Sequence, residues 1–150
     1  MENTSKNNYA KTCVLNVTAD VKDGKNYVSD VYFTSPFKVM KPFHLNKNYM
    51  TVMMQTASAG ILKGDTQELN FDIRDNASME LVSQSYEKLH KMDGGNARRD
   101  CTIKVGKNAL FKYSPLPTIP FYDSGFDSTI HAELADDTSK LILMEILTSG

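Results

Sequence analysis

The chain has 150 residues, and its 17 basic and 18 acidic side chains give a formal net charge of −1. This length is typical of a single domain that buries roughly two thirds of the surface its unfolded chain exposes. Nucleic acid is excluded as an expected partner because the sequence has no basic stripe and no block of like charge. Residues 1–8 are polar and no run of 18 apolar residues occurs, which predicts a cytoplasmic protein without a membrane segment.

The first third of the chain alternates apolar and polar residues. Residues 13–21 alternate up to a turn at Asp23 and Gly24, and residues 27–33 follow it, which predicts a β-hairpin. Residues 1–12 are rich in Asn, Lys and Ser, and we predict a flexible N-terminus there. A Met-rich apolar run at 48–56 is the next predicted strand.

The remainder of the chain consists of short apolar runs separated by turn residues. Leu69, Phe71 and Ile73 alternate with polar residues, as in a strand with one buried face. A helical turn and an extended segment are equally supported at 86–92, and no internal repeat or linker is recognisable. The other predicted strands are 79–84, 102–105, 109–113, 129–134 and 140–147.

Strands at intervals of 10 to 15 residues, without a long amphipathic helix, predict a mainly β fold. We expect antiparallel strands in a layered, β-rich platform. The three prolines between 115 and 120 favour an extended bend between strands over a polyproline ligand.

Cysteines and histidines do not form a metal-binding pattern. Cys13 and Cys101 lie far apart, and neither belongs to a Cys-x-x-Cys pair, so free buried thiols are favoured over a disulfide or a metal pair. The histidines lack the i, i+2 or i, i+4 spacing that places two imidazoles on one ion. No dedicated high-affinity metal site is predicted at His44, His90 or His131.

The turn at 60–65, with the sequence GILKGD, contains two glycines, a lysine and an acid. It is not a P-loop, because three residues separate the glycines and Lys63 precedes Gly64. The residues alone favour a tight turn in which Gly64 supplies a positive φ and Asp65 caps backbone amides. A functional role of Asp65 is the alternative.

Glu145 stands inside the otherwise apolar run 141–147. A lone carboxylate buried there would cost several kcal/mol unless it were paired, hydrogen-bonded or protonated. One interpretation is an edge strand whose Glu145 face meets solvent. The other is a carboxylate facing a polar internal passage, which suits a divalent cation held by oxygen ligands or water.

Four short segments carry a resemblance to a known family by their order and spacing. They are TSPFKVMKPF at 34–43, SAGILKGD at 58–65, SQSYEK at 83–88 and MEILTSG at 144–150. Together they resemble the UreD/UreH family of urease accessory proteins, from about Cys13 to the last residue. The resemblance implies a non-enzymatic scaffold, or chaperone, that assists nickel insertion into apo-urease during metallocenter assembly.

The resemblance also implies roles for particular residues. Asp65 matches an acid linked to maturation, and Glu145 lies in the family's acidic stretch before the closing glycine, so both are candidates for a water-filled nickel passage. Gly60, Gly64 and Lys88 match loop and partner-surface positions. The sequence departs from the family pattern at 58–59, where Pro-Gly is frequent, and at position 118, where an acid is frequent.

The implied partners are apo-urease subunits, a UreF-like accessory protein and, through it, a UreG-like GTPase. Nickel would be in transit, with no tightly bound cofactor. Because the family sequence continues beyond the position of Gly150, we expect residues 13–150 to be the N-terminal part of one UreD/UreH-like β domain, whose C-terminal part is absent. The rival interpretation is a small β-rich ligand-binding domain, or an enzyme that uses Asp65, Asp123 and Glu145 as acids.

Overall fold

The computed structural model describes residues 11–149, which form twelve strands and no helix. Within this range, therefore, no helix is available to span a membrane. The predicted flexible N-terminus falls mostly on residues 1–10, outside the described residues, and Thr12 already belongs to the first strand. The strands are β1 (Thr12–Lys22), β2 (Lys25–Phe33), β3 (Phe37–Val39), β4 (Met50–Thr56), β5 (Thr66–Ile73), β6 (Ser78–Ser83), β7 (Glu87–Leu89), β8 (Ala97–Val105), β9 (Leu110–Ser114), β10 (Thr118–Pro120), β11 (Phe126–Leu134) and β12 (Lys140–Leu143).

Three sheets organise these strands. The first sheet has the order β11-β8-β5-β1-β2, the second sheet has the order β12-β9-β6-β4-β3, and β7 pairs with β10 in a short third sheet. Isolated bridges extend the third sheet, from Ile61 to Leu89 at one end and from Thr118 to Leu147 at the other. From β4 onward, successive strands and bridge residues therefore lie in the second, third and first sheets in turn, and this order then repeats.

This path makes each circuit a coil of about 30 residues stacked on the previous one. Met50 pairs with Met79, 29 positions later. Thr66 pairs with Arg98, 32 positions later. Glu87 pairs with Thr118, 31 positions later. The architecture is a β-solenoid in which each coil contacts mainly its neighbours.

The coiled path overturns the prediction of antiparallel strands, although the mainly β fold is confirmed. Only the β1–β2 and β3–β4 pairs are antiparallel, and the seven other strand pairings are parallel. Successive strands lie in different sheets, so each strand pairs with one from the next coil, which runs in the same direction. The repeat is geometric and leaves no repeated sequence, which is why no internal repeat was recognisable.

The strand predictions are otherwise mostly confirmed. The hairpin forms as β1 and β2, with Lys22 opposite Lys25. Residues 86–92 contain β7 instead of a helical turn, and the last predicted strand ends at Leu143 instead of residue 147. Three short strands, β3, β7 and β10, were not predicted, because three residues are too few to show a period.

The main core lies between the first two sheets. The first sheet contributes alternate residues of β1, β5 and β8, such as Leu15, Phe71 and Ile103, and the second contributes residues such as Met79 and Phe111. All five are at most 1% exposed. A smaller apolar cluster lies beneath the third sheet and contains Ile61, Leu89, Met92 and Ala97, with Phe126 packed against it.

Candidate functional site

The turn that precedes β5 is built around the Asp65 carboxylate. Asp65 Oδ2 accepts a hydrogen bond from the backbone N–H of Leu62 at 2.9 Å, and Oδ1 accepts one from Lys11 N–H at 3.3 Å. The Asp65 N–H donates back to Leu62 O at 3.1 Å. Gly64 has φ +84°, the positive φ that the sequence predicted. The hydrogen bonds expected of a turn cap are thus present, and the maturation role of Asp65 stays a prediction.

Gly60 lies against β7 more closely than any other residue type could. A Cβ on Gly60 would stand 2.5 Å from Lys88 O and 2.9 Å from the His90 ring. The contact is fixed on both sides by backbone hydrogen bonds, from Ile61 N–H to Lys88 O at 2.8 Å and from His90 N–H to Ile61 O at 3.0 Å. The turn at 60–65 and the Lys88 segment, which are separate in the sequence, therefore form one unit.

Two cavities flank this unit, and Ser58 and Gly60 line both of them. The cavity on the Asp65 side has a volume of about 270 Å³, and its wall includes Cys13, Asp65 and Gln67. The cavity on the Lys88 side has a volume of about 260 Å³, and its lining residues include Ser85, Tyr86, Glu87 and Lys88. We refer to them as the Asp65 cavity and the Lys88 cavity.

A buried polar cluster lies between the two cavities. Arg99 Nε donates to Gln67 Oε1 at 2.8 Å, and Arg99 Nη2 donates to Glu87 Oε2 at 2.8 Å. The Arg99 and Glu87 side chains are 7% and 11% exposed, so the ion pair is nearly dry. The guanidinium also lies over the Phe126 ring, 5.3 Å from its centroid. Because Gln67 lines the Asp65 cavity and Glu87 lines the Lys88 cavity, Arg99 connects their walls.

Register explains how these polar side chains become buried. Cys13, Gln67 and Arg99 lie opposite one another on β1, β5 and β8, at an inward-facing position of the first sheet. Burying a charge there is costly unless it is paired and hydrogen-bonded. Arg99 meets this requirement by reaching across to Glu87 of the third sheet.

The interior around this cluster favours neutral side chains. Burial, with the charges of Asp65 and Glu87, raises the pKa of the Cys13 thiol to about 11. Burial and, more weakly, the charge of Glu145 raise the pKa of Cys101 to about 12, and burial raises that of Tyr113 to about 12. Both cysteines are free and buried, as predicted, and protonated thiols are poor metal ligands.

The structure brings four of the five candidate residues together. Gly60, Gly64, Asp65 and Lys88 belong to the turn and to the strand it contacts, and Lys88 is exposed. Glu145 follows β12, on a later coil, and its side chain is exposed, as the edge-strand interpretation expects, but the residue itself lies outside any strand. A passage role for Glu145 stays a prediction.

The buried partners Gln67, Glu87 and Arg99 were not among the predicted site residues. Their sequence signal is a polar residue at an inward position of an alternating strand. Arg99 stands two residues from Ala97 and from Cys101, both buried, and Gln67 stands two residues before Leu69. The signal was missed at Arg99 because the predicted strand began at residue 102, five positions after the observed start at Ala97 and three after Arg99.

The family described as UreD urease accessory protein matches residues 11–150, which include the turn at 60–65, both cavities and the buried cluster. The chain belongs to this family. A UreD of Acetivibrio thermocellus is 38% identical over 146 residues, which are 97% of this chain and 55% of the relative. A UreH of Helicobacter pylori strain P12 is 35% identical over 145 residues, or 96% of this chain and 54% of the relative.

A more distant UreD, from Actinobacillus pleuropneumoniae serotype 5b, is 32% identical over 131 residues, covering 85% of this chain and 48% of the relative. The chain therefore spans about half the length of the curated relatives it matches. The residues that match the UreD family, 11–150, include all of the candidate site residues from Gly60 to Glu145.

Metal-binding side chains are dispersed in this UreD-family chain. Among residues 11–149, no group of three or more His, Cys, Asp or Glu side chains could hold an ion. Each histidine has a hydrogen-bond partner: His44 contacts Asn26 O at 3.0 Å, His90 contacts Ala59 O at 3.0 Å, and His131 contacts Glu133 at 3.3 Å. Any divalent ion held by the described residues would need ligands of another kind or from another molecule.

Proposed function

We propose that this chain acts in urease maturation as a non-catalytic scaffold that assists nickel delivery into apo-urease. The match of the UreD urease accessory protein family to residues 11–150 carries the proposal. The partners would be apo-urease subunits and a UreF-like protein, with a UreG-like GTPase recruited through the latter, in the cytoplasm. Nickel is the cargo in this proposal, and no resident cofactor is required.

The proposed partner face lies beside the third sheet. Exposed apolar side chains adjoin the strands and bridges of that sheet, including Leu62, Tyr86, Phe121 and Tyr122, which are 39 to 86% exposed. Lys88 lies on β7 among them. Exposed apolar side chains rimmed by polar residues are typical of protein interaction surfaces.

The proposed route for nickel includes Asp65 and Glu145. Asp65 lines a cavity of about 270 Å³ whose inner wall reaches Gln67, at the edge of the buried cluster. Glu145 is exposed after β12, on a later coil than Asp65, and would be the second carboxylate of the route. Carboxylates that hold an ion weakly, with water completing its shell, suit transfer better than storage.

Co-purification tests the proposal. An affinity-tagged chain is expressed with urease subunits, a UreF-like protein and a UreG-like protein, and the captured proteins and their nickel content are measured. We expect urease subunits or the UreF-like protein to be captured, and Tyr86→Asp with Tyr122→Asp to reduce capture. A folded chain that captures neither would contradict the proposal.

The rival is a carboxylate-dependent enzyme or ligand-binding domain. It requires Asp65, Asp123 and Glu145 to act on one ligand, but the Asp65 cavity includes neither of the other two acids. Asp123 instead lies in the exposed turn before β11. The scaffold proposal does not require these three carboxylates to act on one ligand.

A further inference from the structure

The third sheet has a position that no described residue fills. In the later coils the chain crosses from the second sheet to the first through the third, at Ile61, at β7 and at β10. The first coil, which contributes β1 and β3, has no such crossing within residues 11–149, because β3 is entered from β2 and β1 begins at Thr12. The place beside Ile61, on the side away from β7, therefore carries no strand in the part of the chain that the structure describes.

The Asp65 cavity lies at this place. Its wall includes residues next to or at the start of both strands of the first coil: Lys11, Cys13, Ser35 and Pro36. Ile61 is also part of the wall. A third-sheet segment of the first coil would run between these strand ends, roughly 4.8 Å beyond Ile61. The cavity, with a volume of about 270 Å³, thus occupies the next position in the third sheet.

The backbone around Ile61 is directed at both sides of this segment. Ile61 N–H donates to Lys88 O at 2.8 Å, and Ile61 O accepts from His90 N–H at 3.0 Å, so Ile61 uses both of its backbone groups toward β7. In a parallel strand, the residues on either side then direct their backbone groups the opposite way. Gly60 and Leu62 therefore present N–H and C=O groups to the Asp65 cavity, which both residues line.

Of these two residues, Gly60 is the one that is open to a new hydrogen-bond partner. Leu62 N–H donates to Asp65 Oδ2 at 2.9 Å, and Leu62 O accepts from Asp65 N–H at 3.1 Å. Gly60 N–H has no acceptor among residues 11–149, and Gly60 O accepts a long hydrogen bond of 3.3 Å from Ser58 Oγ. Asp65 thus closes one part of the sheet edge and leaves the part at Gly60 open.

We propose that the Asp65 cavity receives an extended segment of a partner protein, which pairs in parallel with Gly60 and completes the third sheet in the first coil. The segment accepts a hydrogen bond from Gly60 N–H and donates one to Gly60 O. Addition of a strand to an open sheet position is a recurring mode of peptide recognition, in which backbone hydrogen bonds give affinity and side-chain pockets give specificity.

The neighbouring side chains define the chemistry of the segment. Ile61 lies beside Leu89, and Leu89 lies beside Pro120, in one apolar column of the third sheet. A branched aliphatic residue would continue this column over Ile61. Ile61 and Leu89 precede the next strand of the first sheet by five and eight positions, and the same spacing before Thr12 falls on residues 4–7, which are Thr, Ser, Lys and Asn. None of these is aliphatic, which favours a segment from another molecule.

The surface beside the cavity favours a partner protein as the source. Leu62 lines the Asp65 cavity and Tyr86 lines the adjoining Lys88 cavity, and they are 46% and 53% exposed. Both belong to the proposed partner face, so a protein bound there would lie beside the cavity. A urease-maturation protein as the source rests on the proposed function, whereas the docking position rests only on the contacts of the third sheet.

Peptide selection tests the docking position without urease proteins. Random heptapeptides displayed on phage are selected on the wild-type chain, and their binding after synthesis is measured by fluorescence anisotropy. Ala57→Trp fills the Asp65 cavity from an exposed wall residue, and Ala135→Trp is the matched control, because Ala135 is exposed but follows β11. We expect the peptides to contain an aliphatic residue and to bind Ala57→Trp at least tenfold more weakly than the wild-type chain or Ala135→Trp.

Amide hydrogen exchange tests the backbone pairing. Exchange at Gly60 should slow at least tenfold when the peptide binds, whereas exchange at Gly94, in an exposed turn, should not change. Methylation of the peptide nitrogen that donates to Gly60 O should weaken binding at least tenfold. A library that yields no such peptide, or peptides that bind Ala57→Trp as well as the wild-type chain, would overturn the inference.

Exchange in the free chain distinguishes the other occupants. Fast exchange at Gly60 is expected if the position awaits a partner. Protection that rises with the concentration of the chain would assign the position to a second copy, and protection independent of concentration would assign it to residues 1–10. Either result would overturn the partner protein as the source.

The urease experiment fails in a different way. If urease subunits or a UreF-like protein are captured, Ala57→Trp should reduce their capture and Ala135→Trp should not. Capture that Ala57→Trp leaves unchanged would contradict docking of a maturation partner in this cavity and leave the proposed function standing. Peptide binding without capture of any urease protein would contradict the proposed function and leave the docking position standing.

Discussion

Gly60 and Lys88 are in contact through the backbone, at a separation that leaves no room for a side chain on Gly60. A Cβ at this position would lie 2.5 Å from the carbonyl oxygen of Lys88, and Gly60 has φ +146°. The contact joins the turn that carries Asp65 to the strand that carries Glu87. The relative position of the two cavities therefore depends on a glycine.

Gly60→Ala should destabilise the chain more than a matched glycine substitution does. The backbone conformation alone costs about 1–3 kcal/mol for a residue with a side chain, and the clash with Lys88 O adds to it. Gly94→Ala is the control, because Gly94 has φ +74° with nothing within 4 Å of its Cβ position, and should lose about 1 kcal/mol. Urea unfolding of both variants measures the difference, and equal losses would show that the close approach is not a constraint.

Asp65→Ala should lower nickel-dependent activation of urease, in a protein of the full length of the relatives, while partner binding is retained. The substitution also removes acceptors for Leu62 and Lys11 N–H, at a cost of about 1 kcal/mol. Asp65→Asn separates the two effects, because it keeps an acceptor oxygen but removes the charge. Asp137→Ala, at an exposed aspartate, is the control. Normal activation by both Asp65 variants would remove Asp65 from the proposed route.

Glu145→Gln should lower nickel transfer with little change in stability if the carboxylate lines a passage. Because Glu145 is exposed in the structure, Glu145→Leu relieves no desolvation, and we expect its free energy of unfolding to change by less than about 0.5 kcal/mol. The measurements are nickel per urease active site and thermal unfolding. A Gln variant with unchanged nickel transfer would contradict the passage role at this position.

Alkaline pH should destabilise the chain. The pKa of Cys13 is raised from 9.0 to about 11 and that of Cys101 from 9.0 to about 12, so the folded state holds these protons more tightly than the unfolded state does. Their contribution to stability is complete below pH 9 and is lost as the pH rises through 11 and 12. The urea midpoint should therefore fall between pH 9 and pH 11, and the fall should be smaller in Cys101→Ala. A midpoint independent of pH in this range would contradict the burial of the thiols.

The 150-residue chain should self-associate through its last coil. β11 and β12 are the outermost strands of their sheets, and several large apolar side chains near them are exposed, among them Leu134, Ile142 and Leu147 at 46, 47 and 73%. Open strand edges with apolar neighbours favour pairing between chains. Sedimentation should show oligomers that Ile142→Lys with Leu147→Lys reduces, and a monomeric wild-type chain would contradict the prediction.

Side-chain alternation was enough to predict the long strands but not their direction. The run Leu69, Phe71 and Ile73 has one buried face in the structure, as its pattern indicated. The same pattern arises in an antiparallel meander and in a solenoid, because both leave one face of each sheet in water. Only the pairing of strands about 30 residues apart distinguishes them, and pairing between positions such as Thr66 and Arg98 has no local sequence signal.

The candidate site was predictable where it depends on local conformation. Gly64 and Asp65 form the turn that their residue types indicated, since a positive φ and a short side-chain acceptor act within four residues. The link from Arg99 to Glu87 could not be predicted in this way. It spans two sheets, so alternation can place Arg99 at an inward position but cannot identify Glu87 as its partner.

The coil length of about 30 residues has a consequence for how the chain folds. From β6 onward, every strand pairs with a segment formed a single circuit earlier, so each step closes a loop of similar size and similar entropic cost. Folding can then proceed by adding coils one at a time to an existing edge. A substitution that slows the folding of one coil would delay the folding of all coils that follow it in sequence, while the earlier coils stay formed. During synthesis, the coils would emerge from the ribosome in the order in which they stack.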